Sequence, residues 1–473
     1  MKAGHFIELA LLFFYPISCA GNTDRVNSAS NNIDTTLIVK TSVADTFTTG
    51  KVITQVSCLG DATETYALYL PENSNNEALP VIYFFDPHGD GELPLNKYKA
   101  LADRYHYILI GSNKSKNGNN FTDGDRTWNL LSDDLKARLS INENRLYTCG
   151  FSGGAKVATY LALHHPEIKG VIANGAGLPD IMNAGNFNFS YTAIAGEGDM
   201  NMTDLVAITS GLDKTKTRHR IIFFDGIHEW APENTMNIAF EGFNLDAMQE
   251  NLISRNDTLI HHFITENKKR IADYVNAHQF LKAQEVCKYS ISMLDDVSAE
   301  VDWFNKKEVF LTGNAIYQKQ ALAAQNLLQK EQHIKETYQQ QFQQGDMNYW
   351  TQTIADVKSK AKAPTPEGAM YQRLEAYLSL AFYSISNQLI NGQQNKEAQH
   401  FVTLYKMVDA TNSEAWYFSA ILNARNNDSK AATNDLLNAI ALGFRDKTRL
   451  MQQVEFKNQN APINLGEIEN KIK

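Results

Sequence analysis

The pentapeptide Gly150-Phe151-Ser152-Gly153-Gly154 lies between a β-type run, Arg145-Leu146-Tyr147-Thr148-Cys149, and a helical one, Ala155 to Leu163. A serine on so sharp a strand-to-helix turn is held in a strained backbone conformation, and flanking glycines remove the side chains that would collide there. Its hydroxyl is thereby presented outward. Ser152 is the candidate nucleophile.

The surroundings supply the sheet that such a turn needs. From about Thr36 to Glu250, β-rich runs alternate with turn signals and helical periods, the pattern of an α/β domain with a mostly parallel sheet. Predicted strands are Thr65 to Pro71, Val81 to Phe85, Tyr107 to Ile110, Arg145 to Cys149, Gly170 to Ala173, Tyr191 to Ala195 and Arg220 to Phe224. Continuous apolar runs among them imply burial on both faces. A closing helix follows Pro232, with Met236, Ala239, Phe240 and Phe243 on one face.

Serine is a weak nucleophile until a base takes its proton. In strand-turn-serine sheets of this type the order along the chain is Ser, acid, His. His228, in a loop after the last strand, is therefore the predicted general base; His164 and His165 end the helix after the nucleophile, and His219 precedes the last strand. The acid should follow the penultimate strand, where Gly196-Glu197-Gly198-Asp199 lies. Asp199 is the choice, with Asp204, Glu197 and Asp225 in reserve in that order. An oxyanion needs two fixed donors: the Gly153 N–H, and Gly89 or Asp90 from the loop Asp86-Pro87-His88-Gly89-Asp90-Gly91. Trp128, on an expected loop Asp125 to Asn129, and Trp230 are candidates for an aromatic substrate wall, with a packed anchor as the equal alternative for Trp128.

These segments, Tyr66 to Pro71, Asp86 to Gly91, Gly150 to Gly154, Gly196 to Asp199 and Gly226 to Trp230, resemble the α/β-hydrolase superfamily. The resemblance is strongest to its esterase branch related to polyhydroxybutyrate depolymerases and feruloyl or acetylxylan esterases. It implies a serine hydrolase of carboxylic esters with no metal and no organic cofactor, acting on an ester such as an acylated polysaccharide. The branch's usual cysteine pairs are missing here.

Beyond about Thr258 the chain turns to Ala, Gln, Lys and Leu in helical periods without strands. Ala398 and Ala432, Val402 and Leu436, and Tyr405 and Ala439 are each 34 residues apart. Thirty-four is the tetratricopeptide length. The resemblance to that repeat covers Lys396 to Phe444, with Trp416 as a packing position, and an earlier unit is marked by Tyr274 and Ala283. The Gln-rich stretch Gln339 to Gln344, interrupted by Phe342, reads as a solvated helix face. Such repeats bind protein partners on a concave surface.

At the start, Lys2 and His5 precede an apolar run Phe6 to Phe14, roughly half the ~20 residues a spanning helix needs. This reads as a secretion signal. Ser18-Cys19-Ala20 suits an ordinary signal peptidase, while Ile17-Ser18-Cys19 resembles a bacterial lipobox; the second is preferred, making Cys19 the lipid-anchored residue. A lipid anchor would be the sole membrane contact, and the expected location is a bacterial envelope, as a periplasmic or outer-membrane lipoprotein, or alternatively secreted. Cys58, Cys149 and Cys287 read as buried thiols, with a Cys58 to Cys149 bridge as the alternative. A formal charge of −9 argues against nucleic acid as a partner.

The predicted fold class is α/β: signal 1–19, tether 20–35, an α/β-hydrolase domain 36–257, and an all-α tetratricopeptide-like repeat domain 258–473. Two other functions fit the same residues, a serine peptidase of prolyl-oligopeptidase type and a non-catalytic envelope scaffold.

Overall fold

The apolar runs pair into one eight-stranded sheet. The computed structural model of the chain describes residues 47–72, 77–178, 185–457 and 463–472; the expected signal, the expected tether and Cys19 lie outside them. The strands are β1 (Val52–Ser57), β2 (Thr65–Tyr69), β3 (Leu79–Phe85), β4 (Ile108–Ser112), β5 (Ile141–Phe151), β6 (Ile168–Asn174), β7 (Ser190–Gly196) and β8 (His219–Phe224). Their order is β1-β2-β4-β3-β5-β6-β7-β8. β2 runs antiparallel to both neighbours, and every pair from β4/β3 onward is parallel. β1 escapes the sequence reading because it is an edge strand with a register irregularity between Ile53 and Val56 and only one fully buried side chain.

Parallel strands require helical crossovers, and these cover both faces of the sheet. α1 (Glu92–Tyr105) and α5 (Glu233–Gln249) pack on one face, burying Leu95, Tyr98, Met236, Phe240 and Phe243. α2 (Phe121–Arg138), α3 (Gly153–His164) and α4 (Met202–Leu212) pack on the other, burying Leu131, Leu135, Leu161, Leu205 and Ile208. The segment expected as a loop at Asp125 to Asn129 is the middle of α2. Asn120 N–H donates to Asp123 at 3.0 Å at the helix start, and Gly124, Trp128, Leu131 and Leu135 share the buried stripe, so helical spacing outweighs the weak propensities of Gly, Asp and Asn.

Among the described residues no strand follows β8. Eleven α-helices follow α5: α6 (Asp257–Asn276), α7 (Phe280–Leu294), α8 (Val301–Thr312), α9 (Ala315–Gln344), α10 (Met347–Lys360), α11 (Pro366–Asn391), α12 (Asn395–Val408), α13 (Ser413–Arg425), α14 (Ser429–Ala441), α15 (Lys447–Gln452) and α16 (Leu465–Glu469). Their starts are written locally: Asp346 accepts from Tyr349 N–H, Thr365 from Gly368 N–H ahead of Pro366, and Asp428 from Ala431 N–H. The fold class expected from the sequence is observed, a mostly parallel α/β sheet followed by an all-helical region.

The core does not stop where the strands do. Ile260, Phe263, Phe280, Met293 and Phe304 continue the apolar cluster of α5, and Ser292 on α7 donates to the His219 carbonyl of edge strand β8 at 2.8 Å. Covering an edge in this way removes a site for stray strand pairing. Residues 44–473 accordingly form one compact unit. On the tail, Ala398, Val402, Tyr405, Ala432, Leu436 and Ala439 are all buried. Trp416 differs from its expected packing role: it is only partly buried, with Lys406 Nζ 3.7 Å from its ring centre. Tyr338, just before the Gln-rich stretch, and Phe342 within it turn inward onto Trp350, at 5.9 and 5.3 Å between ring centres, which leaves the glutamines outside. Cys58, Cys149 and Cys287 are free and buried, which rules out the alternative Cys58 to Cys149 bridge.

Candidate active site

β5 ends at Phe151, and the chain turns at Ser152 with φ 53° and ψ −121°, a conformation that an L-residue adopts only under strain of about 1–3 kcal/mol. Tight packing enforces the turn. A Cβ on Gly150 would stand 2.1 Å from the Gly154 carbonyl oxygen, and one on Gly154 would stand 1.9 Å from that of Phe85. Ser152 N–H donates to the Asn174 carbonyl at 2.9 Å, which anchors the elbow to β6. Gly153 opens α3, and its N–H has no partner among the described residues.

Three side chains distant in sequence meet at this turn. His228 Nε2 lies 2.9 Å from Ser152 Oγ, and His228 Nδ1 lies 3.0 Å from both oxygens of Asp199. Asp199 is fully buried and also accepts from Asn201 N–H at 2.8 Å, whereas the His228 side chain keeps 20% of its surface exposed. An imidazole donating from Nδ1 to a carboxylate has Nε2 free to accept from the serine hydroxyl. The competing histidines are engaged elsewhere: His164 with Tyr160, His165 with Asp125 and His219 with Asp213. None of the reserve acids bonds to His228. Glu197 pairs with Lys282 and Asp225 is exposed; burial raises the Asp204 carboxyl, with Lys335 and Lys156 opposing.

Several residues that no sequence pattern singled out hold this group. Asn174, at the end of β6, donates Nδ2 to the Glu229 carbonyl at 3.3 Å and accepts from Ala231 N–H at 2.8 Å, gripping the loop on either side of Trp230. Asn201 Nδ2 donates to the Gly175 carbonyl at 2.7 Å. Gly175, at φ +70°, sits where a Cβ would be 3.2 Å from the His228 ring. Phe151 lies against that ring at 4.7 Å between centres. Each is an asparagine, glycine or aromatic whose partner is remote in sequence, so no local signal marks it.

Of the two oxyanion donors expected in the loop after β3, Gly89 is already engaged, while the Asp90 N–H has no partner among the described residues. Gly89 N–H donates to the Asp86 carbonyl at 3.0 Å and His88 N–H to Asp86 Oδ1 at 2.8 Å, while Pro87 has no N–H. Gly89 is therefore not a free oxyanion donor, because its amide closes the turn. The Asp90 carboxylate accepts from Leu93 N–H at 3.1 Å, at the start of α1. The side chain that reaches the residue after Ser152 is Asn117, whose Oδ1 lies 1.9 Å from the position of a Cβ on Gly153. Asn117 is fixed by its own N–H, which donates to the Pro87 carbonyl at 2.8 Å.

Neither tryptophan forms a substrate wall. Trp128 is buried against Tyr83, 4.6 Å between ring centres, and its Nε1 donates to Glu167 at 3.1 Å, ahead of β6 and at the opposite rim from Ser152. The packed alternative holds for it. Trp230 is buried as well, and its Nε1 donates to Asp86 Oδ2 at 2.9 Å. Burial pushes the Asp86 carboxyl up, but hydrogen bonds from His88 and Trp230 outweigh it and the net shift is downward. His88 is raised, first by its hydrogen bond to Asp86, with added charge from Asp90 and from Glu414 of α13. The helical region thus comes within electrostatic reach of this rim.

No protein-family model matches the chain, and no curated protein matches it. Among solved structures it is similar to a hyperthermophilic esterase from the archaeon Pyrobaculum calidifontis, at 12% identity over 42% of this chain and 85% of that one, TM-score 0.33. It is also similar to the fluorophosphonate-binding serine hydrolase F of Staphylococcus aureus, at 12% identity over 41% and 99%, TM-score 0.35. An acylaminoacyl peptidase from Pyrococcus horikoshii is a third, at 13% identity over 39% of each chain, TM-score 0.32. Esterase and peptidase both occur among these, so the likeness does not choose a reaction.

Proposed function

We propose that this protein is a serine hydrolase of carboxylic esters, in which Ser152 is the nucleophile, His228 the general base and acid, and Asp199 the group that orients His228. The observation that carries the reading is the continuous hydrogen-bonded chain from Ser152 Oγ through His228 to buried Asp199, at 2.9 and 3.0 Å, beginning on a strained turn.

The chemistry follows from the donors and acceptors. His228 Nε2 takes the hydroxyl proton as Ser152 Oγ bonds to the ester carbonyl carbon, and Asp199 stabilises the imidazolium that forms. The negative charge moves to the carbonyl oxygen, where the Gly153 N–H meets it. The second donor in this reading is the Asn117 side-chain amide, since a half-turn of that amide brings Nδ2 to the Gly153 side without changing its shape. The intermediate collapses, His228 returns the proton to the leaving alcohol, and an acyl-serine remains. Water then repeats the two steps with His228 as base and regenerates Ser152. No cofactor enters these steps.

The finer parts of the proposal rest on resemblance. The substrate is an extracytoplasmic ester such as an acylated polysaccharide, the leader with Cys19 places the protein in a bacterial envelope, and the tail is a tetratricopeptide-like array open to a protein partner. Burial of the six positions spaced 34 residues apart supports the last of these.

Labelling with a fluorophosphonate probe tests the reaction class. A covalent adduct on Ser152, lost in Ser152→Ala, is expected; no Ser152-dependent adduct sinks the reading in favour of a scaffold. Short acyl p-nitrophenyl esters should turn over faster than aminoacyl-proline amides. The reverse order makes the protein a peptidase.

A further inference from the structure

The loop that carries Asp199 is gripped from outside the sheet. Arg373, on α11, donates Nη1 to the Glu197 carbonyl at 2.6 Å, while its Nε and Nη2 reach Glu331 Oε2 on α9 at 2.8 and 2.6 Å. Both side chains are buried, and Glu331 Oε1 also meets Lys335 at 2.7 Å. From α7, Lys282 pairs with the Glu197 carboxylate at 2.5 Å. Gln372, beside Arg373, occupies the space over Gly198, its Oε1 lying 2.2 Å from where a Cβ there would be.

The other end of the same peptide group points at the general base's loop. Gly198 N–H donates to the Gly226 carbonyl at 2.8 Å, two residues ahead of His228, and Glu197 N–H donates to the Phe224 carbonyl at 2.9 Å. Asp199 follows directly, its N–H closing onto the Gly196 carbonyl at 3.0 Å. One peptide group therefore has its oxygen on a guanidinium of the helical region and its N–H on the segment that bears His228.

The geometry points to Arg373 as a positioning residue: by fixing the Glu197–Gly198 peptide it sets the spacing of Asp199 and His228, which makes the helical region a working part of the reaction site. An ion pair that served stability alone would need only Glu331. The third bond goes to a main-chain carbonyl beside the acid, and a cationic donor there polarises the amide and strengthens the hydrogen bond at its far end. Arginine suits the task because its planar fork holds two acceptors in a fixed mutual geometry, whereas an ammonium's donors rotate and set no such geometry. The kinetic part of the inference rests on the serine hydrolase reading; the positioning part does not.

The test uses the full chain. Arg373→Met alone leaves Glu331 buried without its main partner and can fail by misfolding. The deciding variant is therefore Arg373→Met/Glu331→Gln, which removes both charges together. Expected are wild-type KM for a p-nitrophenyl ester within about twofold, and kcat lowered roughly tenfold to a hundredfold, the scale of a small misplacement of catalytic groups. Arg373→Lys should fall between. The downfield proton resonance of the His228 imidazole N–H bonded to Asp199, visible without turnover, should shift or broaden in the double variant. A double variant with wild-type kcat and an unchanged resonance overturns the inference. If the wild-type protein is inactive yet the resonance responds, the hydrolase reading fails and the positioning role stands.

Discussion

The indole of Trp230 donates a hydrogen bond of 2.9 Å to the buried carboxylate of Asp86, joining the loop that carries His228 to the loop that follows β3. Two segments 144 residues apart are thereby locked side by side at the rim of the sheet. Trp230→Phe keeps much of the packing against Phe84, Tyr98 and Phe151 but leaves Asp86 Oδ2 without its donor. An unsatisfied buried acceptor costs about 1–3 kcal/mol. The urea midpoint should drop accordingly, and ester turnover should fall with it; unchanged values for both would mean the bond is immaterial.

Ser152 should trade stability for chemistry. Glycine reaches φ 53° without the Cβ collision, so Ser152→Gly should be inactive yet more stable than Ser152→Ala by about 1–2 kcal/mol, after allowing for glycine's greater freedom when unfolded. Equal denaturation midpoints for the two variants would show that the turn stores no strain.

Asn117 is the side chain to remove for the oxyanion. With Gly89 committed to Asp86, Asn117→Ala should lower kcat by roughly a hundredfold, the scale seen when one such donor is lost, with little change in KM. Steady-state kinetics on a p-nitrophenyl ester measure this. A variant with wild-type kcat would return the donor's role to a main-chain amide.

Glu285, on α7, should give the protein a pH-dependent stability. Burial, and then the nearby charge of Glu197, push its carboxyl up from 4.5 to about 7, against the pull of Lys282 and Lys288. The folded state holds this proton more tightly than the unfolded chain, so folding is favoured below the unfolded value and loses free energy as pH climbs through the folded one. Since the side chain is only half-buried, the loss is on the order of 1–3 kcal/mol. Glu285→Gln should flatten the fall in urea midpoint between pH 5 and pH 8. Parallel curves for the two proteins would contradict it.

Much of the site was legible because its chemistry is tied to local turns. Ser152 between a strand and a helix, Asp199 after β7 and His228 after β8 each follow from a strand end and a loop residue, and the structure brings those three together. The supporting residues were not legible. Asn174, Asn201 and Asn117 look like ordinary turn formers, and their partners lie 55, 26 and 30 or more residues away. Trp128 and Trp230 are expected at a substrate wall, Trp128 equally as a packed anchor, and sequence cannot choose because an indole buries readily once its N–H finds a carboxylate, here Glu167 and Asp86.

Strand and helix periods, turn residues and the serine elbow are short-range properties, set by backbone sterics and by the alternation of apolar side chains, so the amino-acid order alone specified the α/β layout, the helical tail and the strained turn at Ser152. Which groups share a hydrogen bond is a matter of distance in space. That Gly89 turns its amide inward, that Asn117 reaches Gly153, and that Arg373 crosses from the helical region to the Glu197 carbonyl follow from burial: each polar group shut away from water must find a partner, and the partner is chosen by packing.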